Sequence, residues 1–322
     1  MKFSAIVLAA VATAALSVPA YAQTVYAIGT NKQGSLAYSS GTAISKLMNL
    51  KGGVKMRVRP GGGSFSIVPQ MNSGAIDFGI NNAAESRFAY TGTGTFEKKG
   101  KMPNFRMVGV MFPLSSTLAV PNDSKIKTIC DAKGARMGHK FTAQTILQLT
   151  QSALLATCGL TQEDMVNTPY SRYVPSGDDM ARGKLDIAII PPGTAASKKQ
   201  HAMLRSRGGL RFLAVDDSPK AVAGMQKWYP EAYITTIKPS KRTPGVLGPI
   251  KIMTYPFFLT AGAHVPAEVV YMIIKTMAAN KKELAKSHGA FNGFNAKKMY
   301  YKNTIVPYHP GAEKAYKEMG VM

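Results

Sequence analysis

Three stretches of the chain carry residue types suited to holding a small anion. The first is Gly61-Gly62-Gly63-Ser64. Its glycines let a ligand approach the backbone, and Ser64 is placed to cap a helix whose Phe65, Val68 and Met71 recur at helical spacing. A helix N-terminus presents free N–H groups and a partial positive charge, which together form a cradle for a carboxylate or phosphate. The second stretch is His139-Lys140-Phe141-Thr142, with Thr145 one turn on. Thr142 is expected to cap a helix running to Cys158, and Lys140 places a cation just before it. The third is Pro191-Pro192-Gly193, where Gly193 opens the backbone at a strand end. Each stretch also has a plainer reading, as a tight turn, a capped helix or a solvated lysine.

The first stretch sits in a strand–turn–helix–turn–strand unit. Val54, Met56 and Val58 alternate with Lys55, Arg57 and Arg59, the period of a half-buried strand. Asn72-Ser73-Gly74 ends the helix and Ile76–Ile80 begins the next strand. Upstream lie a strand at Val25–Gly29 and a helical pattern from Ser35 to Leu50; downstream, Asn81 to Tyr90 reads as helix and Thr91-Gly92-Thr93-Gly94 as loop. Strands are expected at Phe105–Met111 and Thr117–Val120, on either side of Pro113–Ser116. The order then repeats: strand Ala135–Gly138, helix Thr142–Cys158, a short helix to Gly183, strand Leu185–Ile190 and strand Leu210–Val215. Pro239–Pro249 reads as a return crossing, followed by strand structure over Ile250–Gly262 and a long helix over Pro266–Lys286.

Helices alternating with strands argue for parallel sheets covered on both faces. Two crossings imply two lobes, 23–116 plus 246–322 and 117–245, with a cleft between them where small ligands usually sit. The fold class is therefore α/β, two-lobed. In such units the loop after a strand lies at the ligand-binding edge of the sheet.

Residues 1–22 read as an export signal: Lys2, an apolar run from Ala5 to Leu16, and Ala20-Tyr21-Ala22 as a small-x-small cleavage site. The mature chain then begins near Gln23 and keeps 300 residues, with 39 Lys and Arg against 17 Asp and Glu, a net charge of +22 once Lys2 is gone. An anionic ligand, an acidic surface or nucleic acid would each suit that charge. The basic residues are dispersed, however, without the aromatic interleaving of a strand-binding groove, so nucleic acid is not expected. The two cysteines, Cys130 and Cys158, would both fall at the sheet edge away from the cleft, and in an oxidising compartment they are expected to pair. Two cysteines and five scattered histidines do not suggest a zinc site.

Over essentially the whole mature chain the sequence resembles the solute-binding proteins of TAXI-type TRAP (tripartite ATP-independent periplasmic) transporters. Gly61-Gly62-Gly63-Ser64 with Ser73–Ile80 resembles that family's GGS…SGEADFGI segment, and Ala89–Phe96 its following helix end and loop. Val306-Pro307-Tyr308-His309-Pro310-Gly311-Ala312, with Tyr316, Glu318 and Gly320, resembles its C-terminal P-x-HPGA…Y-x-E-x-G signature. The resemblance implies a type II periplasmic-binding-protein fold, a ligand cleft between two closing lobes, and delivery to TRAP permease subunits driven by an ion gradient. The chain departs from the family pattern at Lys32–Ser39, where GGTYYP is usual; at Ile67 and Pro69; and at His139–Thr142, where SGT is usual. These departures are expected to fall in the cleft.

The expected ligand set is Ser35, Tyr38, Gly62, Gly63, Ser64, Asn82, Phe112, Lys140, Thr142, Thr145, Pro192 and Gly193. Asn82 falls where the family places a polar cleft residue, while Tyr38 and Phe112 would sandwich the ligand's carbon chain. The ligand would be a small organic anion: a carboxylate, a dicarboxylate or an acidic amino acid. No cofactor, no nucleic acid and a monomeric receptor are expected. The competing reading is a periplasmic enzyme on the same fold, with Ser64 as nucleophile and His139 as base. The chain has no G-x-S-x-G elbow and no H-E-x-x-H motif to support it.

Overall fold

The computed structural model describes residues 24–142, 144–302 and 304–322. The expected export signal lies outside them.

The elements alternate as the pattern predicts. β1 (Val25–Thr30), α1 (Leu36–Leu47), β2 (Lys55–Pro60), α2 (Ser64–Asn72), β3 (Phe78–Asn82) and α3 (Ala83–Thr91) form the first run. β1 pairs in parallel with β2 and with β3. Close packing of α2 on this sheet depends on glycine: a Cβ on Gly29 would lie 2.6 Å from Ile67 Cγ2. Ile67 is accordingly buried in the core and not in the cleft. Its departure from the family pattern is a packing feature, and α2 continues through Pro69 to Asn72.

β4 (Phe105–Pro121) is a single 17-residue strand, not two strands broken at Pro113. Beyond it come β5 (Arg136–His139), α4 (Ile146–Ala156), β6 (Val166–Pro169), α5 (Tyr173–Ala181), β7 (Ala188–Ile190), α6 (Ala195–Met203), β8 (Leu210–Phe212), α7 (Pro219–Trp228) and β9 (Tyr233–Ile237). β5 and β6 pair in parallel, and β7 and β8 pair antiparallel with the end of β4. β10 (Ile250–Gly262) then returns antiparallel along β4, from Met253 opposite Ser116 to Gly262 opposite Phe105. α8 (Ala267–Ala279), α9 (Lys281–Ser287) and α10 (Pro310–Glu318) complete the chain.

The return crossing is thus β10 itself. Residues 239–249 stay beside β8, where Phe212 N–H donates to the Gly245 carbonyl at 3.1 Å. The two crossing strands form one ribbon with Pro113 opposite Pro256. There β4 lies between its partners at either end, and β10 is unpaired on its outer edge between the β9 register, which ends at Thr254, and the β3 register, which starts at Phe257. Proline lacks a backbone donor, so this gap is where a strand tolerates it at no loss of a ladder bond.

Cys130 and Cys158 are joined as expected, with S–S 2.04 Å and Cα–Cα 5.1 Å. The bridge ties the turn before β5 to the end of α4.

Candidate functional site

Two loops at the C-terminal ends of β1 and β2 open the site. Lys32, Gln33, Pro60 and Gly61 line a cavity of about 430 Å³. Ser35 caps α1 by accepting from the Tyr38 N–H at 3.1 Å, and Tyr38 is half-buried on the first turn of that helix. Gly62 is exposed and Gly63 buried. Gly63 has φ +85°, and a Cβ there would lie 2.5 Å from Asn31 Oδ1, so the turn requires glycine on both counts.

Gly63, not Ser64, is the N-cap of α2. Its carbonyl accepts from Ser66 and Ile67, and no side chain caps the helix. The N–H groups of Ser64 and Phe65 therefore meet no partner among the described residues. Ser64 is the first helical residue, buried, with its hydroxyl donating to Glu85 Oε2 at 2.7 Å.

Glu85 organises this corner, and sequence reasoning missed it. Asn82 caps α3 by accepting from the Glu85 N–H at 2.9 Å and donates Nδ2–H to Glu85 Oε2 at 2.6 Å. The Tyr229 hydroxyl donates to Asn82 Oδ1 at 3.2 Å, and its ring stacks on Tyr255 with centroids 4.7 Å apart. Burial pushes the Tyr255 phenol up to about 12; its hydroxyl faces Ser116 and Thr150, which reach it from β4 and α4. Glu85 as a residue keeps some exposure, but its carboxylate is desolvated. Burial is the largest influence and raises its pKa, with the Ser64 hydrogen bond and then the Asn82 contact opposing it. Both side-chain bonds fall on Oε2, and Oε1 accepts from no described residue. The one signal available in sequence was a glutamate three residues after Asn82, which also describes an ordinary helix start.

Phe112 is a core residue. It is buried against Phe257 and Phe291, with ring centroids at 5.6 and 5.2 Å, so it offers no face to a cleft ligand.

In the second lobe, Thr142 does not cap α4. Phe141 is fully buried, the Gln144 N–H donates to the Phe141 carbonyl, and this extra turn delays the helix to Ile146. Thr145 occupies the N-cap position without a side-chain cap bond. Lys140, Thr142 and Thr145 are all exposed. Lys140 has φ +56°, the one positive φ outside glycine among the described residues. His139 Nδ1 lies 3.2 Å from Gln162 Oε1, so the Ser64–His139 dyad that an enzyme would need is not formed. Gly193, with φ +78°, and half-buried Pro192 precede Thr194, which caps α6 by accepting from the Ser197 N–H at 3.1 Å.

A profile described as the NMT1-like family matches residues 28–320. The chain belongs to the NMT1-like family. Its fold is that of periplasmic binding proteins. A structure described as a periplasmic transporter is 16% identical, with TM-score 0.57 and 94% of each chain covered. PhnD1 from Prochlorococcus marinus (MIT 9301), in complex with methylphosphonate, is 11% identical with TM-score 0.54, covering 92% of this chain and 99% of that one. The putative periplasmic sulfonate-binding protein SsuA from Methylobacillus flagellatus KT is 16% identical with TM-score 0.51, covering 92% and 84%. In this NMT1-like chain no described helix is long and apolar enough to cross a membrane.

Proposed function

We propose that the chain is a periplasmic solute-binding receptor that captures a small organic anion between two lobes, 23–116 plus 246–322 and 117–245, and delivers it to a TRAP-type secondary transporter. The observation that carries this reading is the start of α2. Two backbone N–H groups stand without a partner among the described residues, beside a turn stripped of Cβ atoms at Gly61–Gly63 and next to an open cavity. That arrangement suits an anionic oxygen. Lys140 and the N-termini of α4 and α6 supply the positive field from the other lobe. The TRAP assignment rests on the match of Val306–Ala312 to the C-terminal signature. The SsuA and PhnD neighbours are named for ABC transporters, so delivery to an ABC permease is the second reading.

Glu85 narrows the ligand class. A simple monocarboxylate would meet Ser64 and Asn82 with their donors already given to Glu85 Oε2. A ligand carrying a hydroxyl or amine beside its carboxylate would donate to Glu85 Oε1 while its anionic end takes the α2 N–H groups. Acidic amino acids and hydroxydicarboxylates therefore fit better than short fatty acids.

The test is a thermal-shift screen of mature protein refolded to strip any carried ligand, against amino acids, hydroxyacids, simple carboxylates and neutral sugars. A ligand at one hundred times its dissociation constant adds about 2.7 kcal/mol of stability. Stabilisation by anions with a second donor group supports the reading. Stabilisation by neutral sugars alone would sink the anion assignment and leave the fold intact.

A further inference from the structure

The β4–β10 ribbon has one weak point, and a brace stands beside it. Where Pro113 faces Pro256, β10 has left β9 after Thr254 and has not yet met β3 at Phe257, while β4 meets β7 only at Thr117. The described sheet is two strands wide there, and a two-stranded ribbon resists bending least. Tyr255 sits in the same gap. Tyr229 stacks on it with ring centroids 4.7 Å apart.

Tyr229 arrives from the second lobe. It follows α7, which packs closely on α4: a Cβ on Gly224 would lie 2.6 Å from the Ala156 carbonyl oxygen. The segment after α7 is held in shape by the Gln226 side-chain amide, which donates to the Ala232 carbonyl at 2.9 Å. From this segment two side chains reach α3. The fully buried Tyr229 hydroxyl donates to Asn82 Oδ1 at 3.2 Å and accepts from the Ala84 N–H at 3.4 Å. Further along α3, Arg87 Nε donates to Glu231 Oε1 at 2.6 Å. The Arg87 and Glu231 side chains are only 26% and 10% exposed, so salt screens the pair poorly. α3 itself goes with the first lobe, because it follows β3 directly and β3 pairs with β1.

We infer that Tyr229 and Glu231 form an interlobe lock, which holds the lobes in the relative position of this structure. The inference rests on the two-lobe reading above. Rotation about the Pro113–Pro256 point carries α7 with α4 and leaves α3 with β3, so both contacts must part. The lock ends on Asn82, whose Nδ2–H donates to Glu85 Oε2. The lock and the Glu85 corner thus share one side chain.

The test uses the mature protein without ligand. Lys46→Cys on α1 and Lys198→Cys on α6, both exposed positions, carry spin labels, with the Cys130–Cys158 bridge left oxidised. Double electron–electron resonance then reads the distance between the lobes. The parent should give one narrow distance. Tyr229→Phe keeps the ring on Tyr255 and removes only the hydroxyl. Glu231→Ala removes the ion pair and leaves Arg87 free to reach water. Each should add a second population, and together they should lower the locked-to-unlocked ratio at least about tenfold. Tyr229→Phe decides the matter if the Glu231 variant fails to fold. Adding Pro113→Gly/Pro256→Gly to the double variant loosens the ribbon itself. If only that combination broadens the distance, the ribbon holds the lobes and the lock is overturned alone. If no variant broadens it, the lock falls together with the two-lobe reading. A parent already as broad as the double variant would also overturn the lock. Whether the receptor takes an anion is read from the thermal-shift screen and is independent of these outcomes.

Discussion

The turn after β2 and the turn after β5 stand at matching points, each between a parallel strand and the helix that follows, yet they are held by opposite means. The first is fixed from inside. Gly63 turns it with φ +85°, and a largely buried network of Ser64, Asn82, Glu85 and Tyr229 ties its side chains to one another. The second is fixed from behind. Phe141 anchors it, the Cys130–Cys158 bridge ties the far end of its helix, and Lys140, Thr142 and Thr145 remain in solvent. If the proposed receptor closes its lobes on a ligand, the first turn would be ordered before binding and the second would be ordered by it.

The comparison is broken most strongly at the disulfide. It closes a 28-residue span, for which loop-closure entropy gives about 3–4 kcal/mol. The Cys130→Ala/Cys158→Ala double variant should lose that much in denaturant unfolding, with hydrogen exchange rising in α4 and unchanged in α2. Equal loosening of both helices would show that the two turns are not independently supported.

Glu85→Ala comes next. It leaves the Ser64 hydroxyl and the Asn82 amide buried without an acceptor, at about 1–3 kcal/mol for each group so stranded. Unfolding free energy should fall by about 2–6 kcal/mol, and affinity for any ligand that donates to Glu85 should fall with it. A loss of stability with full affinity would remove Glu85 from the site.

On the opposite wall, Lys140→Glu should weaken anion binding at least tenfold, about 1.4 kcal/mol, with little change in stability because the side chain is exposed. An unchanged dissociation constant by calorimetry would take Lys140 out of the ligand's field.

The buried carboxyl also sets a pH signature. Burial raises the Glu85 pKa, so the folded chain holds this proton more tightly than the unfolded chain does. The Glu85 contribution is most favourable below about pH 4.3, where an unfolded glutamate titrates. It declines as pH rises towards the folded value and is flat above it. Carboxylates such as exposed Asp131 and half-buried Asp164, lowered chiefly by backbone N–H bonds, act with the opposite sign. Subtracting the profile of Glu85→Gln cancels them. The parent-minus-variant stability should fall with rising pH across that window, and a rise would reverse the assignment.

Much of this was legible in the sequence because it is local. Period-two and period-3.6 patterns located most strands and helices, the glycine turn announced its own conformation, and the cysteine pairing followed from element directions. What escaped depended on partners far along the chain. Ser64 looks like a cap, but its hydroxyl is claimed by Glu85, 21 residues on. Thr142 fits every rule for a helix start and is displaced because Phe141 must be buried. Pro113 reads as a strand break until Pro256 is found opposite it, in a gap of the outer pairing. Ile67 and Phe112 stand at positions the sequence assigns to the cleft and face the core, since one-dimensional spacing cannot tell an inward face at a sheet end from a cleft face.

The smallest expected effect separates charge from strain in the second turn. A non-glycine residue in left-handed backbone costs about 1–2 kcal/mol relative to its preferred region, and Lys140 sits there at φ +56°. Lys140→Gly removes that strain but adds backbone freedom to the unfolded chain, which costs roughly 0.5–1 kcal/mol in return. The net gain in stability should be at most about 1.5 kcal/mol. Affinity for the anion should meanwhile fall as it does in a charge-neutral, strain-keeping Lys140→Gln control, since Gln, unlike Asn, has no preference for left-handed backbone. If Gly and Gln bind alike and both bind worse than Lys, the lysine charge is what the ligand reads. If Gln matches the parent and only Gly is weaker, the turn's rigidity is what the ligand needs. The second wall would then be preorganised like the first.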